Sequence, residues 1–392
     1  MDGEGVSSYN PLVPFLLPLF ITSGGVKIPG GYTMRPIHFI LVPVLAIFAC
    51  LPLACSNNNP APTTPAPVTV VATRPPSTVA GKDWTFATLN GAYSARYGQT
   101  ALTFNNAMWI IGGVSGAGSL YNDVWTSTDG KTWTQVLANN ASPGPNQFSQ
   151  REFAGGAVFN NKMWIIGGNG GTALNDVWSS SDGLTWTQVL ADNASPGSNQ
   201  FPRDFIHSLL AYNNKLYLIA GVVGGVSTNA VWSSPDGITW TNILANNASP
   251  GPNQFSQREY CGAVVFNNAM WIMTGYNGSN SFNDTWTSTD GITWTNKLNN
   301  AASPPYYQFS QRSEPSVLAF DNVMWVIGGA SGAGPSLNDV WYSANGVNWS
   351  QITASASFPV RSAQSGLVYN NAMWILAGLG VTYFNDVWYS PF

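Results

Sequence analysis

Charge is scarce in this chain of 392 residues: 8% are Asp, Glu, Lys or Arg, and the formal net charge is −4. A nucleic-acid surface needs clustered Lys and Arg to neutralise phosphates, so the composition argues against that partner. Histidine occurs twice and cysteine three times, too few for a disulfide framework, and no metal-ligand spacing occurs. No stretch of residues 81–392 keeps a 3.6-residue apolar period, which leaves helices little room. No cofactor and no metal is expected.

What the chain has in excess is tryptophan, 17 in all, and glycine, 40 in all. Both follow a repeat. An arginine, an apolar strand, Asn-Asn, Met-Trp-Ile-Ile-Gly-Gly, Asn-Asp-Val-Trp and Asp-Gly-x-Thr-Trp recur in order about every 54 residues. In the second copy Gly155–Phe159 reads as strand one and Asn160-Asn161 as a tight turn, since Asn tolerates positive φ. Met163–Ile166 is strand two, closed by Gly167-Gly168. Asp176–Ser179 is strand three, Asp182-Gly183 a hairpin turn, and Thr185–Val189 strand four.

Four-stranded units at a period near 50 residues predict an all-β propeller of six blades, because one blade cannot bury both of its faces alone. Paired glycines after strand two, an aromatic just before them and a Trp in strand three resemble the kelch family over about residues 81–392. The Asp-Gly-x-Thr-Trp hairpin also resembles the Asp-box turn of sialidase-type propellers, one residue short. Five fourth strands follow their own blades, with Trp133, Trp186, Trp240, Trp294 and Trp349. The sixth copy stops at Trp388-Tyr389-Ser390-Pro391-Phe392, and its missing strand is expected near Trp84, where Gly81–Phe86 carries the same pattern. Pairing that N-terminal strand with the last blade would close the ring and remove both open edges.

The residues before the propeller read as an address. Met34-Arg35-Pro36-Ile37-His38 is a short basic start, Phe39–Ala49 is apolar, and Leu51–Cys55 gives way to Ser56-Asn57-Asn58-Asn59. That order is expected of a secretory signal over 34–55. Its end resembles a bacterial lipoprotein box with Cys55 as the lipidated residue and Cys50 as the rival. Residues 1–33 are expected to be a mis-assigned start or extra leader. Residues 56–80 hold six prolines and read as a semi-rigid spacer reaching up to about 80 Å. An exported, lipid-anchored protein at the cell envelope is the expectation.

Candidate binding residues come from the repeat itself. Arg96, Arg151, Arg203, Arg258, Arg312 and Arg361 are placed just before each strand one. The kelch resemblance puts that position on the face around the central channel, where a ring of guanidiniums could grip carboxylates bidentately. Glu152, Asp204, Glu259 and Glu314 follow closely, and pairing with them is the structural alternative. The interblade loops end in Phe148, Phe201, Phe255 and, with Tyr306 and Tyr307, Phe309. These aromatics form either a contact rim or plugs between blades. The Asp-Gly and Asn-Asp acids read as turn and capping residues. Cys261 reads as a small core residue.

These residues predict a binding module for a protein or glycan at the loop face, as a monomer. The alternative is an enzyme similar to the kelch-type sialic-acid mutarotase, with an Arg grip and Glu152, Glu259 or Glu314 as acid/base. A copper centre of the galactose-oxidase type is excluded, because the propeller holds one histidine, His207.

Overall fold

Hairpin turns divide every repeat into a four-stranded antiparallel sheet. The computed structural model describes residues 80–332 and 334–392, and all regular secondary structure within them is β. The leader at 1–33, the signal at 34–55 with Cys50 and Cys55, and the spacer up to residue 79 lie outside the described residues. In the second repeat the strands are Gly155–Phe159, Lys162–Asn169, Ala173–Ser180 and Thr187–Leu190, paired in that order. Asn160 and Asn161 have φ of 48° and 56°, the left-handed pair that a two-residue hairpin turn needs. Strands two and three run longer than the sequence bounds suggest. Gly167-Gly168 does not end strand two but forms a bulge within it, and the register shifts between Ile166 and Gly168.

Six such sheets form the propeller, and strand one of each blade packs against strand one of both neighbours, so these strands line the channel. The ring closes as the sequence predicts. Thr85–Thr88 pairs antiparallel with Tyr383–Pro391, with Thr85 opposite Tyr389 and Phe86 opposite Trp388. The propeller reaches back at least to Ala80, which is fully buried, and Gly81 N–H donates to Ser390 Oγ at 2.8 Å.

The core is a set of interblade layers rather than one centre. Between blades one and two, Trp109, Ile111 and Val124 pack on Phe148, Met163, Ile165 and Trp186. The turn glycine of each blade lies under a strand-two aromatic of the blade before it. A Cβ on Gly183 would sit 2.2 Å from Trp109 Cζ3, and its φ of +75° is left-handed besides. Beside that glycine Asp182 clips the hairpin, accepting from Leu184 N–H at 2.9 Å and Thr185 N–H at 2.8 Å. Burial alone would raise the Asp182 carboxyl, but these backbone donors and the Ser180 hydroxyl outweigh it and hold it below the usual range. The Asp-Gly turns are therefore structural, as their regularity suggests.

Two rings of backbone hydrogen bonds tie the blades at the channel. The N–H of Gly113 donates to the carbonyl of Arg151 in the next blade at 2.9 Å, and Gly378 completes the circuit onto Arg96 at 2.9 Å. Closer to the axis, Gly98, Phe153, Ile206, Tyr260, Glu314 and Ala363 bond head to tail, from Phe153 N–H to Gly98 C=O at 2.7 Å round to Ala363 N–H on Glu314 C=O at 3.2 Å. All six have positive φ, between 49° and 62°. Left-handed backbone costs a residue with a side chain about 1–2 kcal/mol, and it is held here by bonds from both neighbours.

Candidate functional site

The arginines do not face the channel. Arg151 is 2% exposed and lies in a socket inside its own blade. Its Nη1 donates to Asp176 Oδ1 at 2.6 Å and to Gly167 C=O at 2.9 Å, and its Nη2 donates to Asp176 Oδ2 at 2.8 Å. Its Nε donates to Ser149 C=O at 3.0 Å. The same arrangement joins Arg96 to Asp123, Arg258 to Asp284, Arg312 to Asp339 and Arg361 to Asp386. Arg151 and Arg312 make five hydrogen bonds each within the protein, Arg96, Arg258 and Arg361 make four each, and all five are buried away from a ligand. Their partner is the Asn-Asp acid of strand three, not the following glutamate, so that Asp is an ion-pair residue rather than a turn cap. The tryptophan two residues on also donates to it, as Trp178 Nε1 does to Asp176 Oδ2 at 2.7 Å.

Arg203 is not the sixth member of the set. In blade two the phenylalanine–arginine spacing is three, Phe148 to Arg151, and in blade three Phe201 plus three is Asp204. The backbone confirms the register, because Gly168 N–H donates to Asp204 C=O where Gly113 N–H donates to Arg151 C=O. Arg203 instead matches Gln150: Arg203 Nε donates to Asp192 at 3.1 Å as Gln150 Nε2 donates to Asn139 at 3.0 Å. The fixed spacing from phenylalanine was the sequence signal for this difference.

The loop phenylalanines are plugs. Phe148, Phe201, Phe255 and Phe309 are fully buried. Each meets the strand-four Trp of its blade edge to face, with Phe148 and Trp186 centroids 5.1 Å apart and Phe255 and Trp294 5.1 Å apart. Tyr93 on Trp133 and Phe358 on Trp84 complete six pairs. Asn122 pins the first of these loops, donating to the carbonyls of Asn140 and Phe148. Of the rim proposed from sequence, Tyr306 and Tyr307 stay open, at 92% and 38% exposure.

What the fold does gather at the channel mouth is acidic and aromatic. The residue after each buried arginine position faces this end, and there stand Tyr97, Glu152, Phe205 and Glu259, each bridged to the end of strand two. Glu314 joins them from the axial ring. Tyr97 and Phe153 rings lie 5.9 Å apart, Phe153 and Tyr260 5.4 Å, and Tyr97 stacks on Tyr383 at 5.7 Å. Burial pushes the carboxyls of Glu152, Glu259 and Glu314 up, and Glu314 adds to the effect on Glu259. Burial, then the charges of Glu314, Glu259 and Glu152, raises the Tyr260 hydroxyl. Glu152 accepts from Asn169 Nδ2 at 3.1 Å, and no Lys or Arg among the described residues pairs with any of the three glutamates.

Just inside lies a cavity of about 160 Å³, lined by Phe153, Tyr260, Cys261 and Glu314 among others. It is smaller than the several hundred Å³ of a pocket that engulfs a small molecule. No group of three Asp, Glu, His or Cys among the described residues is close enough to hold a metal ion. Cys261 lies in this wall, and burial pushes its thiol up and away from reactivity. A carboxylate grip of the mutarotase kind needs open guanidiniums here, and the buried arginines supply none.

This architecture defines a kelch-type propeller, and the chain belongs to the kelch-repeat family. The family model of the KLHDC2/KLHL20/DRC7 Kelch-repeats domain matches residues 77–221 and 207–390. A similar protein is the leucine-zipper-like transcriptional regulator 1 homolog of Drosophila melanogaster, 25% identical over 166 residues. That match covers 40% of this chain and 16% of the relative's length.

Proposed function

We propose that this protein is a protein-binding module whose channel mouth receives a basic segment of its partner. The supporting observation is the cluster of Glu152, Glu259 and Glu314 among Tyr97, Phe153, Tyr260 and Tyr383, beside which five arginines of the expected ring are turned inward and Arg203 is paired with Asp192. Half-buried carboxylates attract cations more strongly than exposed ones, and aromatic faces add cation–π attraction. Tyr306, Tyr307 and Val381, the last 92% exposed, extend the contact surface over the loops. A neutral glycan could donate hydroxyls to the carboxylates, but only a cation gains from their charge.

A lysine- and arginine-bearing peptide will bind the propeller, and the triple variant Glu152→Gln/Glu259→Gln/Glu314→Gln will lose at least about tenfold, roughly 1.4 kcal/mol. Affinity will fall with salt. It will rise with pH through the elevated glutamate range, because the carboxyls held protonated by burial bind cations only once ionised. Calorimetry at several pH values reads both effects. A triple variant that binds as tightly as the wild type removes the mouth from the function, and a neutral glycan that competes fully returns the choice to carbohydrate.

The cellular setting belongs to the same proposal: an exported monomer held at the cell envelope by lipid on Cys55, with residues 56–80 as spacer. It is supported by the order basic, apolar, Ala54-Cys55 and polar in the sequence. Cys55→Ser will move the protein from the membrane to the soluble fraction. Unchanged fractionation with loss only in Cys50→Ser would shift the anchor to the earlier cysteine.

A further inference from the structure

Blade three lacks both halves of the ion pair that the other five blades contain. Asp204 stands at the arginine position and Ala230 at the aspartate position, in Asn229-Ala230-Val231-Trp232. The space the pair would fill is a cavity of about 290 Å³ lined by Pro202, Asp204, Ala220, Thr228, Ala230 and Trp232. Arg203 does not fill it, being engaged with Asp192 and 35% exposed at its side chain.

The carbonyls that hold the arginine elsewhere are still in place. The Ala220 carbonyl corresponds to those of Gly112, Gly167, Thr274, Gly328 and Ala377, each of which accepts from an arginine Nη1 at 2.9–3.0 Å. The Pro202 carbonyl corresponds to that of Ser149, which accepts from Arg151 Nε. Asp204 is 2% exposed and accepts from Val222 N–H through Oδ1 at 2.9 Å. His207 Nδ1 is 3.8 Å from Oδ1, and no Lys or Arg among the described residues pairs with Asp204. A buried carboxylate without a cation in contact is costly: burial pushes the Asp204 carboxyl up, and His207 and the Val222 and Phe205 N–H groups offset this only in part.

We propose that the blade-three socket is a binding site for one guanidinium group, carried on an arginine side chain of a partner protein. Two carbonyls and a carboxylate match the planar fork of N–H donors that guanidinium presents, whereas an ammonium is a compact charge that would leave part of the set unmet. The volume falls at the lower limit of small-molecule pockets and suits a single side chain. The five sister sockets each hold a guanidinium borne on a peptide chain, so the partner supplies from outside what those blades supply themselves. The site is separate from the channel mouth and does not depend on the reading given to that mouth.

The test uses the full chain and N-acetyl-arginine methylamide, followed by calorimetry and by the NMR signal of the Trp232 indole N–H. Saturable one-to-one binding that shifts this signal is expected, with the neutral citrulline analogue at least tenfold weaker. Asp204→Asn will weaken binding at least tenfold. Asp204→Arg/Ala230→Asp, which rebuilds the pair of the other blades, will abolish binding and raise the melting temperature. The triple glutamine variant at the mouth will leave the Trp232 response intact. Absence of saturation in the wild type, or equal binding in Asp204→Asn, overturns the proposal. So does loss of the Trp232 response in the mouth variant alone. Agmatine binding tenfold tighter than the capped arginine would assign the socket to a free guanidine and overturn the protein source.

Discussion

Asp176→Ala will lower the stability of the propeller by about 3–5 kcal/mol in urea unfolding, the cost of leaving a buried guanidinium without its counter-ion. Arg151 is 2% exposed, and two of its five side-chain hydrogen bonds end on Asp176. Trp178 Nε1 loses the same acceptor, so one truncation strands two buried donors. Arg151→Met/Asp176→Leu, which removes both charges, will recover much of the loss, because packed apolar groups replace an ion pair at little net cost. Arg203→Ala will change stability by less than about 1 kcal/mol, since its pair with Asp192 is partly exposed and screened. Equal losses for Asp176→Ala and Arg203→Ala would contradict this division. The five buried arginines are thus structural residues, and variants at them would report on folding before they reported on binding.

Deletion of residues 80–90 will abolish cooperative unfolding. It removes the fourth strand of blade six and leaves Tyr383–Pro391 as an open edge. It also removes Trp84, 4% exposed and packed edge to face on Phe358 at 5.1 Å, from a cluster that includes Trp325, Val340 and Trp388. Trp84→Ala alone will cost about 3–5 kcal/mol, as large-to-small changes in a core do. The deletion is worse because a ring closed by one strand pair opens as a whole. Circular dichroism and tryptophan fluorescence that still melt together at the wild-type midpoint would show that the blade closes without this strand.

The fold was legible in the sequence because its signals are local. The Asn-Asn and Asp-Gly turns, the strand-two Met-Trp-Ile-Ile and the fourth-strand pattern at Gly81–Phe86 give blade number and closure from short stretches of sequence. The site was not legible in the same way. Sequence alone offers Arg151 as a ligand group on the channel face, with Glu152 as its structural partner otherwise, yet its partner is Asp176, 25 positions on. Phe148 was read as a possible rim because it ends a polar loop, yet Asn122 and Trp186 draw it inward. The mouth residues Tyr97, Phe153 and Tyr260 belong to different repeats, and no single copy of the motif marks them as a group.

Blade count, turn geometry and the place of every tryptophan follow from the sequence by itself, since hairpins and strand alternation are set within a few residues. The inward turn of five arginines, the acidic mouth and the vacated socket of blade three were decided by tertiary structure. The reason is electrostatic. In the closed ring water is excluded from the sockets, so a guanidinium is held only where a carboxylate and carbonyls converge on it, and that convergence exists only once strands one, two and three have paired.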